Sequence, residues 1–370
     1  MRPADWQALA QLRAANEAFA NPFFDPGFAY IVGRVRGDIF IGLAHQGDRL
    51  AGAWPLQVAR DGWSRPAGAP FADWAGPLLA RHSGLTASAF LDGLGIAGHT
   101  GSNMPAPPGG ETLHEHATVS LVTQLGAGGE RVMAQLAQAH PRHFKKLRRL
   151  HRKLEAEHGP VRLARAAPGS DALDRLLEIK REHLVRSGLH DVLAPAWTRA
   201  MLEALHARDG AAFCGELHVL EAGGRFVAAE FNLRSGPVMH GWLAGYDPGF
   251  ASYSPGHLLM MQLLPHLAGR GFTEYDAGDA DHPYKAYFAN ARRCGVSATL
   301  FPAGRRAGFR PVRRTLGALE HRGPDAVAGL LARSRRRLDQ ICAAEPSLHG
   351  RARGAIRALR SALGPTQLAG

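Results

Sequence analysis

The sequence predicts an α/β protein built of two consecutive lobes and a basic helical tail, with residues 1–140, 141–301 and 302–370 as the three parts. Three observations carry that expectation. A chain of 370 residues is longer than one hydrophobic core usually serves, so two or three domains are expected. Short apolar runs bounded by Gly, Pro, Asn and Asp alternate with stretches of helical period. From Gly304 onward the chain turns Arg-rich with interspersed Leu and Ala, helical in propensity but poor in apolar side chains.

Residues 5–20 read as an amphipathic helix, followed by the turn-rich Asn21-Pro22-Phe23-Phe24-Asp25-Pro26-Gly27. The apolar runs 39–44 and 50–56, separated by Gln46-Gly47-Asp48-Arg49, predict a hairpin. Residues 71–77 and the Pro/Gly/Ser-rich 101–110 predict loops. Over 129–158 a long helical stretch breaks at Pro141; Phe144, Leu147, Leu150 and Leu154 repeat at helical spacing until Gly159-Pro160 stops it. Helices over 170–187, capped by Ser170 or Asp171, and over 195–208 come next. Three strands, 217–220, 225–233 and 238–244, are joined by Ala222-Gly223-Gly224 and Ser235-Gly236-Pro237. Ser254-Pro255-Gly256 then opens a helix with Ser at the cap and Pro in the first position. A strand over 272–276 and a short helix over 283–290 complete the second lobe. No period of 20–50 residues repeats, which argues against a solenoid.

The composition is 45% hydrophobic and 21% charged with a mean hydropathy of −0.17, values of a folded globular chain. The formal net charge of +12 invites a nucleic-acid or membrane-surface reading. Its location narrows that reading. Residues 302–370 carry fourteen Arg against four acids, and Arg142–Lys153 carries seven Lys or Arg and no acid. Those two segments account for +10 and +7, which leaves −5 for the remainder. The basic stretches are solvated faces, or contacts to a polyanion or an anionic membrane through the tail. No RNA-binding signature is present, so a nucleic-acid partner is not expected. Three dispersed cysteines make no disulfide framework, no secretory h-region is visible, and no apolar run approaches a membrane span. The expectation is a cytoplasmic protein, with a peripheral station at the inner membrane through the tail.

Several chemistries lack their motifs: there is no Gly-x-Ser-x-Gly elbow, no P-loop and no dinucleotide fingerprint. His114-Glu115-His116 lacks the spacing of a zinc helix, and no metal is expected. Ser254-Pro255-Gly256-His257-Leu258 is a helix start that could seat an anion such as a pyrophosphate, or is simply a good N-terminus.

The order strand, loop, Pro-initiated helix, strand, helix between Arg225 and Asn290 resembles the acyl-CoA-binding core of the GNAT acyltransferases. More closely, Tyr246-Asp247, Ser254-Pro255-Gly256-His257-Leu258-Leu259, Tyr275-Asp276-Ala277-Gly278-Asp279 and Tyr284-Lys285-Ala286-Tyr287-Phe288 resemble the CelD/BcsL-like acetyltransferases of cellulose and exopolysaccharide production. These are similar to the two-domain Fem-type transferases. Asn21-Pro22-Phe23-Phe24, Trp54-Pro55-Leu56, the segment 71–78 and the basic helix around 142–154 agree with that pattern, so the resemblance spans about residues 5–301. It implies two tandem GNAT-like lobes with mixed sheets. It also implies acetyl-CoA as the acyl donor, bound by Ser254, Pro255, Gly256, His257, Leu258 and Tyr287. The implied reaction moves an acetyl or other acyl group to an amine or hydroxyl of a sugar or polysaccharide precursor. One departure stands out: Phe250–Gly256 has a single Gly near the helix start and lacks the Arg of the usual phosphate loop.

Acyl transfer of this kind needs a proton acceptor and a donor to the leaving thiolate. Glu230 is a base in an apolar strand or an ion-pair partner at its end. Asp276 and Asp279 are ligand groups at a strand end or turn formers. Lys285, one of five Lys beside thirty-nine Arg, is a compact amine required at its position or a surface residue. Tyr284 is a phenol donor or packs a helix face. Asp73, Trp74, Trp242 and Tyr246 form an acceptor wall or anchor their loops. The expected catalytic set is Glu230, Asp279, Lys285 and Tyr284, and Asp73, Trp74, Trp242, Tyr246 and Asp276 the acceptor set. The competing readings are a Fem-like transferase using aminoacyl-tRNA and a non-catalytic envelope-assembly protein of degenerate GNAT fold.

Overall fold

One mixed sheet of twelve strands runs through the molecule, as seen in a computed structural model that describes all residues except 106–108, 110, 111, 209, 281, 282, 305–324 and 364–370. The strands are β1 (Ile39–Gln46), β2 (Arg49–Val58), β3 (Trp63–Pro66), β4 (Leu78–Leu79), β5 (Gly98–Met104), β6 (Thr112–Gln124), β7 (Val161–Ala166), β8 (Phe213–Ala222), β9 (Arg225–Ser235), β10 (Val238–Tyr246), β11 (Glu274–Asp279) and β12 (Ala291–Leu300). Their order is β1-β2-β3-β5-β12-β6-β11-β10-β9-β8-β7, with β4 against β2. Two pairings are parallel, β3 with β5 and β10 with β11; the others are antiparallel. The fold is α/β with a mixed sheet, as expected.

The described helices are α1 (Pro3–Ala14), α2 (Pro26–Val35), α3 (Ala87–Gly93), α4 (Gly129–Ala139), α5 (Pro141–His158), α6 (Asp171–Arg186), α7 (Ala196–His206), α8 (Pro255–Gly269), α9 (Asp325–Ala344) and α10 (Leu348–Leu363). The 39–58 hairpin, the break at Pro141, the helix stop at Gly159 and the three-stranded meander β8–β9–β10 stand where periodicity puts them. On α5, Phe144, Leu147, Leu150 and Leu154 are all buried, so the apolar stripe faces the core while the basic face stays outside.

Elsewhere the structure corrects the expectation. Pro26-Gly27 opens α2 rather than ending a turn, because the Asp25 carboxylate accepts from Gly27 N–H at 2.9 Å and Pro26 takes the first helical position. Gly101–Met104, expected in a loop, close β5; the rest of that loop falls largely outside the described residues. Neither Ser170 nor Ser254 caps its helix through the side chain, and Ser254 adopts a left-handed backbone (φ 55°, ψ 56°). Strand β12 has no apolar alternation at Ala291-Arg292-Arg293-Cys294-Gly295; backbone pairing with β6 holds that half in place, and β5 joins on the other side from Val296 onward.

Where it is described, the tail closes back onto the first 140 residues and onto α7. Ile341, Ala343 and Ala344 at the end of α9 are buried. The Ala343 carbonyl accepts from Arg36 Nη1 (2.9 Å) and Gln57 Nε2 (3.0 Å), and the Ala344 carbonyl from Trp197 Nε1 (2.8 Å). Three buried donors, from the residue after α2, from β2 and from α7, thus satisfy the orphan carbonyls of one helix end. The expected tail segment 305–324 lies outside the described residues.

Candidate active site

Strands β10 and β11 run side by side for only three residue pairs, Val238–Glu274, Met239–Tyr275 and His240–Asp276. Beyond them β10 continues to Tyr246 and β11 to Asp279 without pairing to each other, so the sheet opens at their carboxyl ends. Open parallel pairs bind ligands at that end, where backbone groups lose their ladder partners. The ladder between β9 and β10 also shifts register between Gly241 and Leu243, which leaves Trp242 as the extra, bulged residue. A cavity of about 450 Å³ occupies the opening. It is lined by Glu230 of β9, Gly241, Trp242 and Ala244 to Tyr246 of β10, the first turn of α8, Lys180 of α6, and Tyr284 and Lys285 beyond β11.

Glu230 is 6% exposed and accepts from the Tyr275 hydroxyl at 2.7 Å. Burial pushes its carboxyl up; the bond from Tyr275 and the cations Lys285, His240 and Lys180 recover only part of that. The same burial, with Lys285 nearby, lowers the Lys180 ammonium. Burial and the neighbouring Glu230 raise the Tyr284 phenol, so it keeps its proton. At the mouth, burial together with His143 and Lys146 brings His257 down to about 4, leaving a neutral imidazole. Lys285 donates to the Ala277 carbonyl at 2.7 Å. The close approach of Tyr275 to β10 needs a glycine: a Cβ on Gly241 would stand 2.1 Å from the Tyr275 hydroxyl.

Behind the bulge a second polar cluster centres on His240, which is fully buried. Its Nε2 lies 2.9 Å from Asp73 Oδ2, and its Nδ1 faces Asn21 Nδ2 at 3.0 Å and Asp276 Oδ1 at 3.7 Å. Asn21 also donates to Asp276 Oδ2 (2.9 Å) while its own oxygen accepts from Phe23 N–H. Asp276 is further held by Ser120, Gly278 N–H and Arg293. The Asn21 amide favours a neutral ring, whereas burial is opposed by two carboxylates. Two full charges outweigh one amide dipole, and His240 rises to about 9, a cation at neutral pH. In return His240, Ser120 and Arg293 hold Asp276 well below the usual carboxylate range despite its burial.

Of the residues singled out in the sequence, Glu230, Trp242, Tyr246, Ser254, Pro255, Gly256, His257, Tyr284 and Lys285 meet in the cavity wall. Leu258 is fully buried in the core of α8, and Trp74 is 1% exposed, with no free face for stacking a sugar. Tyr287 stacks on His143 at 3.7 Å, and Asp279 ends β11 at the surface; neither lines the cavity. Asp73 and Asp276 belong to the His240 cluster instead. The helix start is also a poorer anion seat than expected: Pro255 has no N–H, and those of His257 and Leu258 turn back to the Ser254 carbonyl. Sequence reasoning passed over Lys180, Tyr275, His240, Asn21, Ser120 and Arg293 as site residues. A signal existed for His240, a polar residue within the apolar run Val238-Met239-His240-Gly241-Trp242. A larger groove of about 910 Å³ between α6 and α7 pairs three of its cations with acids, Arg175 with Glu178, Arg181 with Asp191 and Arg199 with Asp174.

Comparison with known proteins meets this geometry. Residues 141–286 match the family model described as Acetyltransferase (GNAT) domain, and that stretch holds β7 to β11 and α8, the elements around the cavity. No curated protein matches the chain. Among solved structures, FemX is similar at 10% identity and a TM-score of 0.48, over 78% of this chain and 93% of that one. A tandem GNAT protein from the clavulanic acid biosynthesis pathway is similar at 13% identity and a TM-score of 0.44, over 80% and 93%. Residues 141–286 thus match a GNAT acetyltransferase domain model and lie within a larger α/β sheet, and no helix among the described residues is long and apolar enough to cross a membrane.

Proposed function

We propose that this protein is an acyltransferase that moves an acyl group, acetyl in the simplest case, from a CoA thioester to an amine or hydroxyl acceptor. The observation that carries this reading is the opening between β10 and β11, whose cavity contains a buried carboxylate, Glu230, facing Tyr284 and Lys285. An acyl donor of extended shape fits a slot between splayed strands, with its reactive end toward Glu230 and its charged end toward the α8 start and the basic helix α5. Lys146 and Lys153 of α5 flank that side, the first near His257 and the second 5.4 Å above the Tyr253 ring. These cations are candidates to replace the missing phosphate-loop Arg.

The proton economy follows from the two environments. Raised by burial, Glu230 is a stronger base than an ordinary carboxylate and takes the proton of the attacking N–H or O–H. The new bond forms to the acyl carbon, the C–S bond breaks, and the thiolate takes a proton from Tyr284, which burial keeps protonated. Lys285 adds positive charge beside the developing negative oxygen. The acceptor expected in this reading is a saccharide of an envelope polysaccharide, with positioning supplying most of the rate.

Titration calorimetry with acetyl-CoA, free CoA and tRNA tests the proposal, followed by thiol release with acceptor sugars. Binding of acetyl-CoA and CoA without tRNA is the expected result. No heat from either CoA species at millimolar ligand overturns it, and binding of aminoacylated tRNA alone replaces it.

A further inference from the structure

A second cavity of about 430 Å³ adjoins the first and has no part in the transfer just described. It lies between the last two turns of α6 and the end of β10. Lys180, Ala244, Gly245, Tyr246 and Ala251 belong to the walls of both cavities. We propose that this second cavity binds an oxyanion carried by the acceptor, a phosphate ester or a carboxylate, on Lys180, His183 and Arg186. The inference rests on the acyl-transfer reading of the first cavity and gives the acceptor a chemical class: it is acidic.

Charge balance along one helix carries the argument. The basic residues of α6 are Arg175, Lys180, Arg181, His183 and Arg186. Two of them are matched by carboxylates, Arg175 by Glu178 and Asp247, and Arg181 by Asp191. The other three line the second cavity, whose wall holds no Asp or Glu. None of the three makes an ion pair among the described residues. Arg186 also borders the α6–α7 groove together with Glu182, yet the only bond it makes there is from Nε to the Glu182 carbonyl, at 3.4 Å. That contact serves the carboxyl end of the helix. The two terminal nitrogens of the guanidinium make no hydrogen bond among the described residues.

Lys180 stands at the boundary of the two cavities, and a glycine puts it there. A Cβ on Gly245 would lie 2.9 Å from Leu176 Cδ1 and 3.7 Å from Lys180 Cδ. Without that side chain α6 lies against β10, and the lysine stem crosses the strand between the cavities. The Lys180 ammonium is half-buried and makes no hydrogen bond among the described residues. Burial disfavours an unpaired charge, so an anion arriving beside it is stabilised.

From Lys180 to Arg186 the helix axis rises about 9 Å. An oxyanion seated between them leaves the rest of a small acceptor directed past Lys180 toward Glu230. Ammonium and guanidinium donate charge-assisted bonds to a phosphate or carboxylate, roughly twice as strong as neutral ones. A neutral acceptor leaves the excess charge unmatched, and a cationic one is repelled by it.

Titration calorimetry tests the site in the wild type, Arg186→Gln, Arg186→Lys and Lys180→Gln. Arg199→Gln, in the neighbouring groove, removes the same charge outside the cavity. Inorganic phosphate, glucose 6-phosphate and glucuronate are the probes, glucose is the neutral counterpart, and acetyl-CoA is titrated in parallel. The wild type is expected to bind at least one of the three anions and not glucose. The order of the two phosphates and glucuronate then decides between a phosphate ester and a carboxylate. R186Q and K180Q weaken the bound anion about tenfold or more, R186K recovers part of the loss, and R199Q leaves it unchanged. Acetyl-CoA affinity in R186Q stays that of the wild type. Four results overturn the inference: a wild type that binds none of the anions, R186Q binding them as tightly as wild type, an equal loss in R199Q, or R186Q losing acetyl-CoA affinity in parallel. The last would assign the cavity to the donor's own phosphates. Anion binding without acetyl-CoA binding in the wild type removes the donor reading instead and leaves the anion site standing.

Discussion

At the scale of single residues the site is governed by burial acting on charge. Glu230 stands on β9 among buried apolar neighbours, so its ionised form is disfavoured and its proton affinity rises. Glu230→Gln keeps the shape and removes the base: kcat is expected to fall by about 10²–10⁴-fold with acetyl-CoA affinity retained, as read by thiol release. In the wild type the rate rises with pH through an apparent pKa above the ordinary carboxyl value, and in E230Q that limb disappears. His240 behaves in the opposite sense, because its cation is favoured in the folded state. With a folded pKa of about 9 against about 6.5 unfolded, its contribution is complete below pH 6.5 and is lost as pH climbs through 9. The amount at stake is of order 3 kcal/mol. Denaturant unfolding at pH 6 and pH 9.5 should show that loss in the wild type and a flatter profile in His240→Gln; equal pH slopes would refute it.

Elements decide where those residues can meet. The meander β8–β9–β10 follows from alternating apolar patterning and two Gly-containing turns, and it appears where the sequence puts it. The functional feature is an irregularity in it, the bulge at Trp242. Alternation alone cannot show a bulge, since one inserted residue leaves the apolar count unchanged and moves only the register. Gly241 beside the bulge admits the Tyr275 hydroxyl. Gly241→Ala would press a methyl against it and against Glu230 Oε1 at 3.1 Å. A cost of about 1–3 kcal/mol is expected by thermal melting, together with a drop in kcat as the Tyr275–Glu230 bond is displaced. Unchanged kcat in G241A would detach that bond from catalysis.

For the whole molecule the sheet is the unit. Strand β12, late in the chain, inserts between β5 and β6, and β6 pairs with β11, so strands from the first 140 residues and from the end of the second lobe share one ladder. The tail closes onto the same body through the carbonyls of Ala343 and Ala344. Arg36 is buried, donates to Ala343 and stacks 4.4 Å over the Trp197 ring. Arg36→Ala should cost about 1–3 kcal/mol, because it leaves a buried carbonyl with one donor fewer and strips a cation from an aromatic face. A melting temperature equal to wild type would show the clasp to be dispensable.

What the sequence by itself determined is local: the helical stripe of α5, the stop at Gly159, the hairpin at 39–58, the meander and the Pro-opened α8. Each is written in neighbouring residues, as a period, a turn former or a fixed φ. The wall of the cavity was partly legible for the same reason, since Glu230, Lys285, Tyr284 and Ser254–His257 are unusual within their own segments. Only the tertiary structure joined Asn21, Asp73, Ser120, His240, Asp276 and Arg293, which come from six separate segments and carry no common spacing. Their chemistry exists only where the sheet brings β6, β10, β11 and β12 together with two loops of the first 140 residues. Burial, which no pattern of one segment reveals, then sets Glu230, His240 and Asp276 apart in proton affinity. The charge of +12 is likewise local: position along the chain shows that it lies in 142–153 and 302–370, outside the residues that form the cavity wall.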